Sequence, residues 1–227
     1  MIASGDNGVM PAFAELAADP SVGAGALALA LAAEFRLVDE AVALARLDDL
    51  AADVAAAAER RNELDALGEV LGVRHGFGGA GDEYDHPDNS MLDVVLARGH
   101  GLPIALSVVY VETARRAGIA LDGVGLPGHY VVGQFPAGGA PPVLLDPFAG
   151  GARIDASAAA EADPDMRPWG AHETALRMLN NLLGAYTRRN DLGRAIRAAE
   201  LRLELPLERG LAAALAAELR GLRARLN

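Results

Sequence analysis

Between residues 11 and 71, apolar residues return at helical spacing: Leu27, Leu31, Phe35 and Val38, then Leu44, Leu47, Leu50 and Val54. Steps of three and four place each set on one helix face. Two to four helices are predicted there. Asp19-Pro20-Ser21 forms a boundary between helices, and Gly68 or Gly72 ends the last one. Over residues 75–90, HGFGGAGDEYDHPDNS, the periodicity stops and Gly, Asp and Pro predict an irregular loop. NSMLDVVLARGHG then reads as a short helix, capped by Asn89 or Ser90 and ended by Gly99.

The strongest apolar segment is GLPIALSVVYVETARRAG, residues 101–118. From Ile104 to Val111 only Ser107 is polar, so this segment must be buried on almost all sides. Read as a helix, 103–117 spans ~22 Å at ~1.5 Å per residue. Pro103 suits its first turn, where a missing N–H costs nothing. Arg115 and Arg116 suit its C-terminal end, and Gly118 suits the left-handed position beyond it.

Residues 122–135, DGVGLPGHYVVGQF, and 142–148, PVLLDPF, then alternate as strands around a Gly/Pro-rich stretch. They predict an antiparallel hairpin in which His129, Val131, Gly133 and Phe135 share a face. A register placing His129 opposite Asp146 would be centred between Ala137 and Gly138, inside that stretch. Residues 151–170 are polar and read as a linker. From Thr174 the helical pattern returns as two antiparallel helices turning at Asn190-Asp191, then a third from about residue 208 to 226.

Composition narrows the function. Apolar residues make up 52% of the 227-residue chain but aromatics only 4%, with alanine supplying much of the difference. The formal charge is −11, and all 20 basic residues are arginine. So acidic a chain repels phosphate backbones, and no nucleic-acid partner is expected. There is no cysteine, which excludes disulfides, thiolate metal sites and thiol nucleophiles. Residues 1–20 carry no leader pattern, and the apolar run 24–33 is too short to span a bilayer. A soluble, cytoplasmic protein without membrane contact is expected.

His129 and Asp146 are the candidate chemical pair. A carboxylate accepting the Nδ1–H of an imidazole fixes the tautomer and frees the other nitrogen to act as a base. A structural hydrogen bond within a sheet is the plainer alternative. His75, His86, His100 and His172 supply further imidazoles, and GDEYDHPDNS supplies oxygens. No two of them have helix-face ligand spacing, so neither a metal nor a cofactor is expected.

GLPIALSVVYVETARRAGI, PGHYVV and LLDPF together resemble the transglutaminase-like superfamily. The likeness is greatest to its SirB-type bacterial branch, which carries a tetratricopeptide-like tail, and covers residues 85–151 and 176–206. It implies an α+β, papain-like core with an antiparallel sheet, N-terminal helices and a helical tail. The expected division is 1–74, 75–170 and 171–227. In that family a nucleophilic cysteine opens a buried helix, with a histidine on one strand and an aspartate on the next. The resemblance implies that His129 and Asp146 are base and orienting acid, and that Pro103 stands at the nucleophile position.

Proline has no heteroatom in its side chain, so acyl transfer through a thioester cannot start there. Ser107 lies one turn further on, displaced ~6 Å along the axis. A nucleophile must lie within ~2.6–3.2 Å of its base. A serine bonding back to the carbonyl of residue 103 is the plainer expectation. The leading expectation is a catalytically degenerate protein acting in binding or regulation through the old cleft, the tail or both, with a protein or peptide partner. The alternative is a hydrolase using His129–Asp146 with water, Ser107 or a metal. In the tail, Leu182, Tyr186 and Ala195 match the packing positions of one repeat. A single helix pair cannot form an extended groove, so it is expected to pack on the core.

Overall fold

The computed structural model describes residues 11–81, 84–138 and 140–225. The N-terminal part holds α1 (Phe13–Ala17), α2 (Ala24–Ala33), α3 (Glu40–Ala58) and α4 (Glu63–Leu67). Asp39 caps α3 by accepting from the Val42 N–H, and Asn62 caps α4 by accepting from Leu64. The helical path does not stop at Gly68 or Gly72. It widens into a π-helix, Gly68–Arg74, in which the two glycines admit the backbone of Gly150 and Gly151 rather than end the helix. Residues 1–10, which carry half of the leader segment considered above, lie outside the described residues.

The loop after it contains β1 (Gly78–Gly79) and a 3₁₀ turn, Pro87–Ser90. Asn89 and Ser90 belong to that turn, so neither caps the next helix, α5 (Leu92–Arg98). Its N-cap is Met91, which makes no side-chain capping bond. Gly99 ends α5 at φ 75°, in the left-handed region expected of it. β2 (His100–Gly101) pairs in parallel with β1, matching Gly78 to His100 and Gly79 to Gly101. α6 (Pro103–Arg116) begins two residues later with Pro103 in its first turn. It is the central helix, and ten of its first eleven residues are buried.

The second sheet is antiparallel, in the order β3 (Asp122–Leu126), β4 (His129–Gln134), β5 (Val143–Asp146), β6 (Ala152–Ile154). Pro127-Gly128 divides the first expected strand into β3 and β4, with Gly128 at φ 71°. In the β4–β5 ladder Val132 faces Leu145 and Gln134 faces Val143. That register lies two residues from the expected one, because a Gly/Pro connection of this length can close several pairings. Residues 151–170 are not an unstructured linker. They supply β6 and α7 (Ala156–Ala162), which Asp155 caps. Their polar texture reflects an edge strand and a surface helix. Trp169 then donates its backbone N–H to the Gly123 carbonyl at 2.8 Å.

The tail comprises α8 (Ala171–Arg188), α9 (Leu192–Arg202) and α10 (Arg209–Ala224). Asn190 makes the α8–α9 turn at φ 58°, as asparagine can. The expected final residue of the third helix, 226, lies outside the described residues. One apolar cluster runs from Phe13 through α6, Tyr130 and Leu145 to Leu222 in α10. A smaller one, with Val124, Val131 and Leu144, lies under α7 on the other side of the sheet. Among the described residues, no helix is long and apolar enough to cross a membrane.

Candidate functional site

His129 opens β4 and Asp146 closes β5, so the sheet delivers both side chains to one end. They are not opposite each other in the ladder, but they meet: His129 Nε2 lies 2.9 Å from Asp146 Oδ2. The ring nitrogen presented to the carboxylate is Nε2, not the expected Nδ1. Nδ1 has no hydrogen-bond partner among the described residues, because only Asp146 approaches the ring within bonding distance. His129 is about one-third exposed (32%) and Asp146 half as much (18%). A neutral ring in this setting donates Nε2–H to Asp146 and keeps a lone pair on Nδ1.

Asp146 has two tasks. Its Oδ1 accepts from the Phe148 and Ala149 N–H groups at 2.9 and 3.3 Å, capping a 3₁₀ turn, Pro147–Ala149. Its Oδ2 holds the imidazole. The turn is anchored by glycines. A methyl group on Gly72 would sit 1.8 Å from the Gly150 carbonyl oxygen, and one on Gly151 would sit 2.7 Å from Gly68 Cα. Gly150 and Gly151 both have positive φ, at 66° and 82°. The π-helix therefore grips the chain just beyond Asp146, backbone against backbone.

The Phe148 ring lies edge-on to His129, with centroids 6.4 Å apart, and sits against Gly79, where a Cβ would be 2.4 Å from its Cζ. Gly79 pairs with Gly101, two residues before Pro103. The 3₁₀ turn itself packs on α6. These contacts set the pair against α6, where a Cβ added to Gly151 would lie 3.0 Å from the Tyr110 hydroxyl. Tyr110, two turns into α6, is sealed and without a hydrogen-bond partner among the described residues. Burial, and then the Asp146 charge, raises its phenol above the ordinary range.

Arg177, from α8, holds the histidine from behind. Its Nη2 donates to the His129 carbonyl at 2.9 Å, and its guanidinium lies 5.6 Å from the Tyr130 centroid and 5.7 Å from that of Trp169. The tail is thus joined to the backbone of the candidate base. Nothing in the local sequence around Arg177 signalled this contact, nor did any signal mark the packing roles of Gly68, Gly72 and Gly79.

Ser107 stands apart. It is 0% exposed, and its Oγ is sealed with no partner among the described residues, so the expected bond back to residue 103 is not made. It lines a cavity of about 390 Å³ together with Tyr130, Trp169 and Thr174, and neither His129 nor Asp146 borders that cavity. Among the described residues, no hydroxyl hydrogen-bonds to His129. The other imidazoles are dispersed. His75 meets Asp53 and Arg46, His86 the Asp88 N–H, His100 the Arg98 carbonyl, and His172 the Ala17 carbonyl. Among the described residues no three histidines or carboxylates are placed to hold a metal ion. Asp82 and Glu83, two of the loop oxygens considered above, lie outside the described residues.

Residues 41–187 match the family model described as the transglutaminase-like superfamily. A UPF0162 protein of Xylella fastidiosa (strain 9a5c) is 38% identical over 155 residues, covering 62% of this chain and 54% of the relative. A UPF0162 protein of Pseudomonas aeruginosa is 33% identical over 93 residues, 40% of this chain and 34% of the relative. F-box only protein 21 of Homo sapiens is 35% identical over 69 residues, 30% of this chain and 11% of the relative. The chain spans about half the length (54%) of the Xylella relative. No solved structure is significantly similar.

Proposed function

The chain belongs to the transglutaminase-like superfamily, and from that premise we propose that it is a catalytically degenerate member that binds rather than turns over. The observation that carries the reading is Pro103. It occupies the first turn of α6, where the family places its nucleophile, and the chain has no cysteine anywhere. The base and its orienting acid persist as a 2.9 Å pair. The occupant of the old cleft is a protein or peptide segment.

In this reading the chain is of the SirB-type branch, and α8–α9 is one tetratricopeptide-like unit packed on the core. Supporting this, Leu182, Tyr186 and Ala195 are all buried, and Arg177 reaches from α8 to the histidine's backbone. A second reading, hydrolysis by water activated at His129, draws on the unpartnered Nδ1 of a partly exposed ring. The test is hydrolysis or transfer with peptide amide and thioester substrates. The degenerate reading expects rates at background in the wild type and in His129→Ala alike. Turnover that disappears in His129→Ala would replace it with the second reading.

A further inference from the structure

A second cleft lies away from the His129–Asp146 pair, between the end of α2, the Pro87–Ser90 turn and the α8–α9 hairpin. Its volume is about 460 Å³. Tyr186 lines it. This residue is 5% exposed, and its ring packs on Phe35 with centroids 5.4 Å apart. Its hydroxyl has no hydrogen-bond partner among the described residues. Unlike Tyr110 Oη, it is not sealed, so it opens on the cleft. Burial, outweighing the nearby Arg194, pushes this phenol up to about 12. At neutral pH it is therefore a hydrogen-bond donor seeking an acceptor.

The groups around it are donors too. Arg36 uses Nε on Asp93, at 3.3 Å. Arg189 uses Nη1 on the Asp85 carbonyl at 2.7 Å, and Arg194 uses Nη1 on Asp191 at 3.0 Å. Each guanidinium keeps further N–H groups. His86 Nδ1 accepts from the Asp88 N–H, so a neutral ring carries its proton on Nε2 and adds another donor. Of the two carboxylates lining the cleft, Asp191 is spent on both oxygens, one capping α9 and one on Arg194. The three guanidiniums are offset by Asp88 and Asp191 in the lining and by Asp93 behind Arg36, so the cleft is close to neutral within a chain of net charge −11. Phe35, Pro87 and Met91 give it an apolar wall.

We propose that this cleft binds a small oxyanion, the phosphate or carboxylate group of a ligand with an apolar body. Planar guanidinium forks match the paired oxygens of such groups, and the phenol supplies a neutral donor from below. The apolar wall takes the rest of the ligand. The site is separate from the degenerate pair, and its occupation does not depend on how that pair is read.

The test is calorimetric titration of the full chain with inorganic phosphate, phenyl phosphate and benzoate at low ionic strength. Saturable binding of at least one is expected, tighter for the two aromatic probes than for inorganic phosphate and weakened by salt. Preference between phenyl phosphate and benzoate identifies which oxyanion the site takes. The paired substitution Arg189→Gln/Arg194→Gln should weaken binding by about tenfold or more. Tyr186→Phe should weaken it by several-fold. Asp88→Asn should tighten it, a gain that misfolding cannot imitate. Absence of saturable binding by all three probes would overturn the proposal. So would an affinity unchanged in the paired arginine variant.

Discussion

Two imidazole–carboxylate pairs in this molecule look alike and differ in one atom. His75 sits between α3 and the end of the π-helix, with Nε2 2.7 Å from Asp53 Oδ2 and Nδ1 3.2 Å from Arg46 Nη2. Arginine only donates, so Nδ1 must accept and Nε2–H must go to Asp53. Both nitrogens are spent, and the ring is a strut. His129 holds Asp146 by Nε2 alone. Its Nδ1 is uncommitted among the described residues, and its carboxylate partner also caps a turn. A histidine–aspartate contact is therefore not by itself a catalytic sign. The spare nitrogen marks the pair that can do chemistry, and the neighbour opposite that nitrogen decides whether it does.

The comparison can be broken most severely where the two pairs share support. The π-helix runs from beside the Asp146 turn to His75, and Gly72 is its contact with Gly150. Gly72→Ala drives a methyl group into a backbone carbonyl, which cannot move as a side chain would. A loss of about 3 kcal/mol or more is expected in a denaturant melt, with both pairs disturbed. An unchanged midpoint would show that the interlock is not tight.

A carboxylate outside both pairs serves as the control for burial. Glu112 accepts from the Gly25 N–H at 3.1 Å and meets Arg115 and Arg116, with its side chain 4% exposed. Burial pushes its carboxyl up, but the Gly25 bond and the two guanidiniums outweigh this and hold it below the usual range. A lowered folded value means that its contribution is full above the unfolded value near 4.5 and is lost as pH falls below it. Glu112→Ala should cost about 3 kcal/mol at pH 7 and flatten stability across that acid window, measured by melts at several pH values.

The pairs themselves should separate by smaller amounts. His75→Ala removes a ring with two bonds and strands Arg46, at about 1–2 kcal/mol. His129→Ala should cost less, within about 1 kcal/mol, because Asp146 Oδ1 still caps its turn. Proton-detected nitrogen shifts should show His75 with its proton on Nε2. Equal costs, or a proton on Nδ1 of His75, would erase the distinction drawn between them.

Much of this was legible in the chain, and the failures share a cause. α6 could be read because Pro103 and Gly118 punctuate an apolar run locally, and the Asn190 turn for a similar reason. The meeting of His129 and Asp146 followed from strand order and from the family likeness, but its register did not. Side-chain alternation fixes which face a residue takes, not which of several same-face rungs it occupies. Gly68 and Gly72 looked like helix stops because their partners, Gly150 and Gly151, lie some 80 residues further along the chain. β6 and α7 were hidden because a three-residue edge strand and a seven-residue, alanine-rich surface helix carry too few large apolar residues to show a period. The Arg46–His75–Asp53 strut joins residues at no recognisable spacing.

The proposed function rests on His129 and Asp146 being an acid–base pair beside a first turn of α6 that opens on a proline. Because the chain contains no cysteine, a single thiol can be introduced and read without background. Because position 103 is buried, the measurement that reads it without needing reagent access is the pH dependence of ultraviolet thiolate absorbance in Pro103→Cys, with and without His129→Ala. The account predicts that the new thiol ionises well below the ordinary value of about 8.5, and that removing His129 returns it toward that value. A thiol that ionises at the ordinary value or above it in both proteins would contradict it.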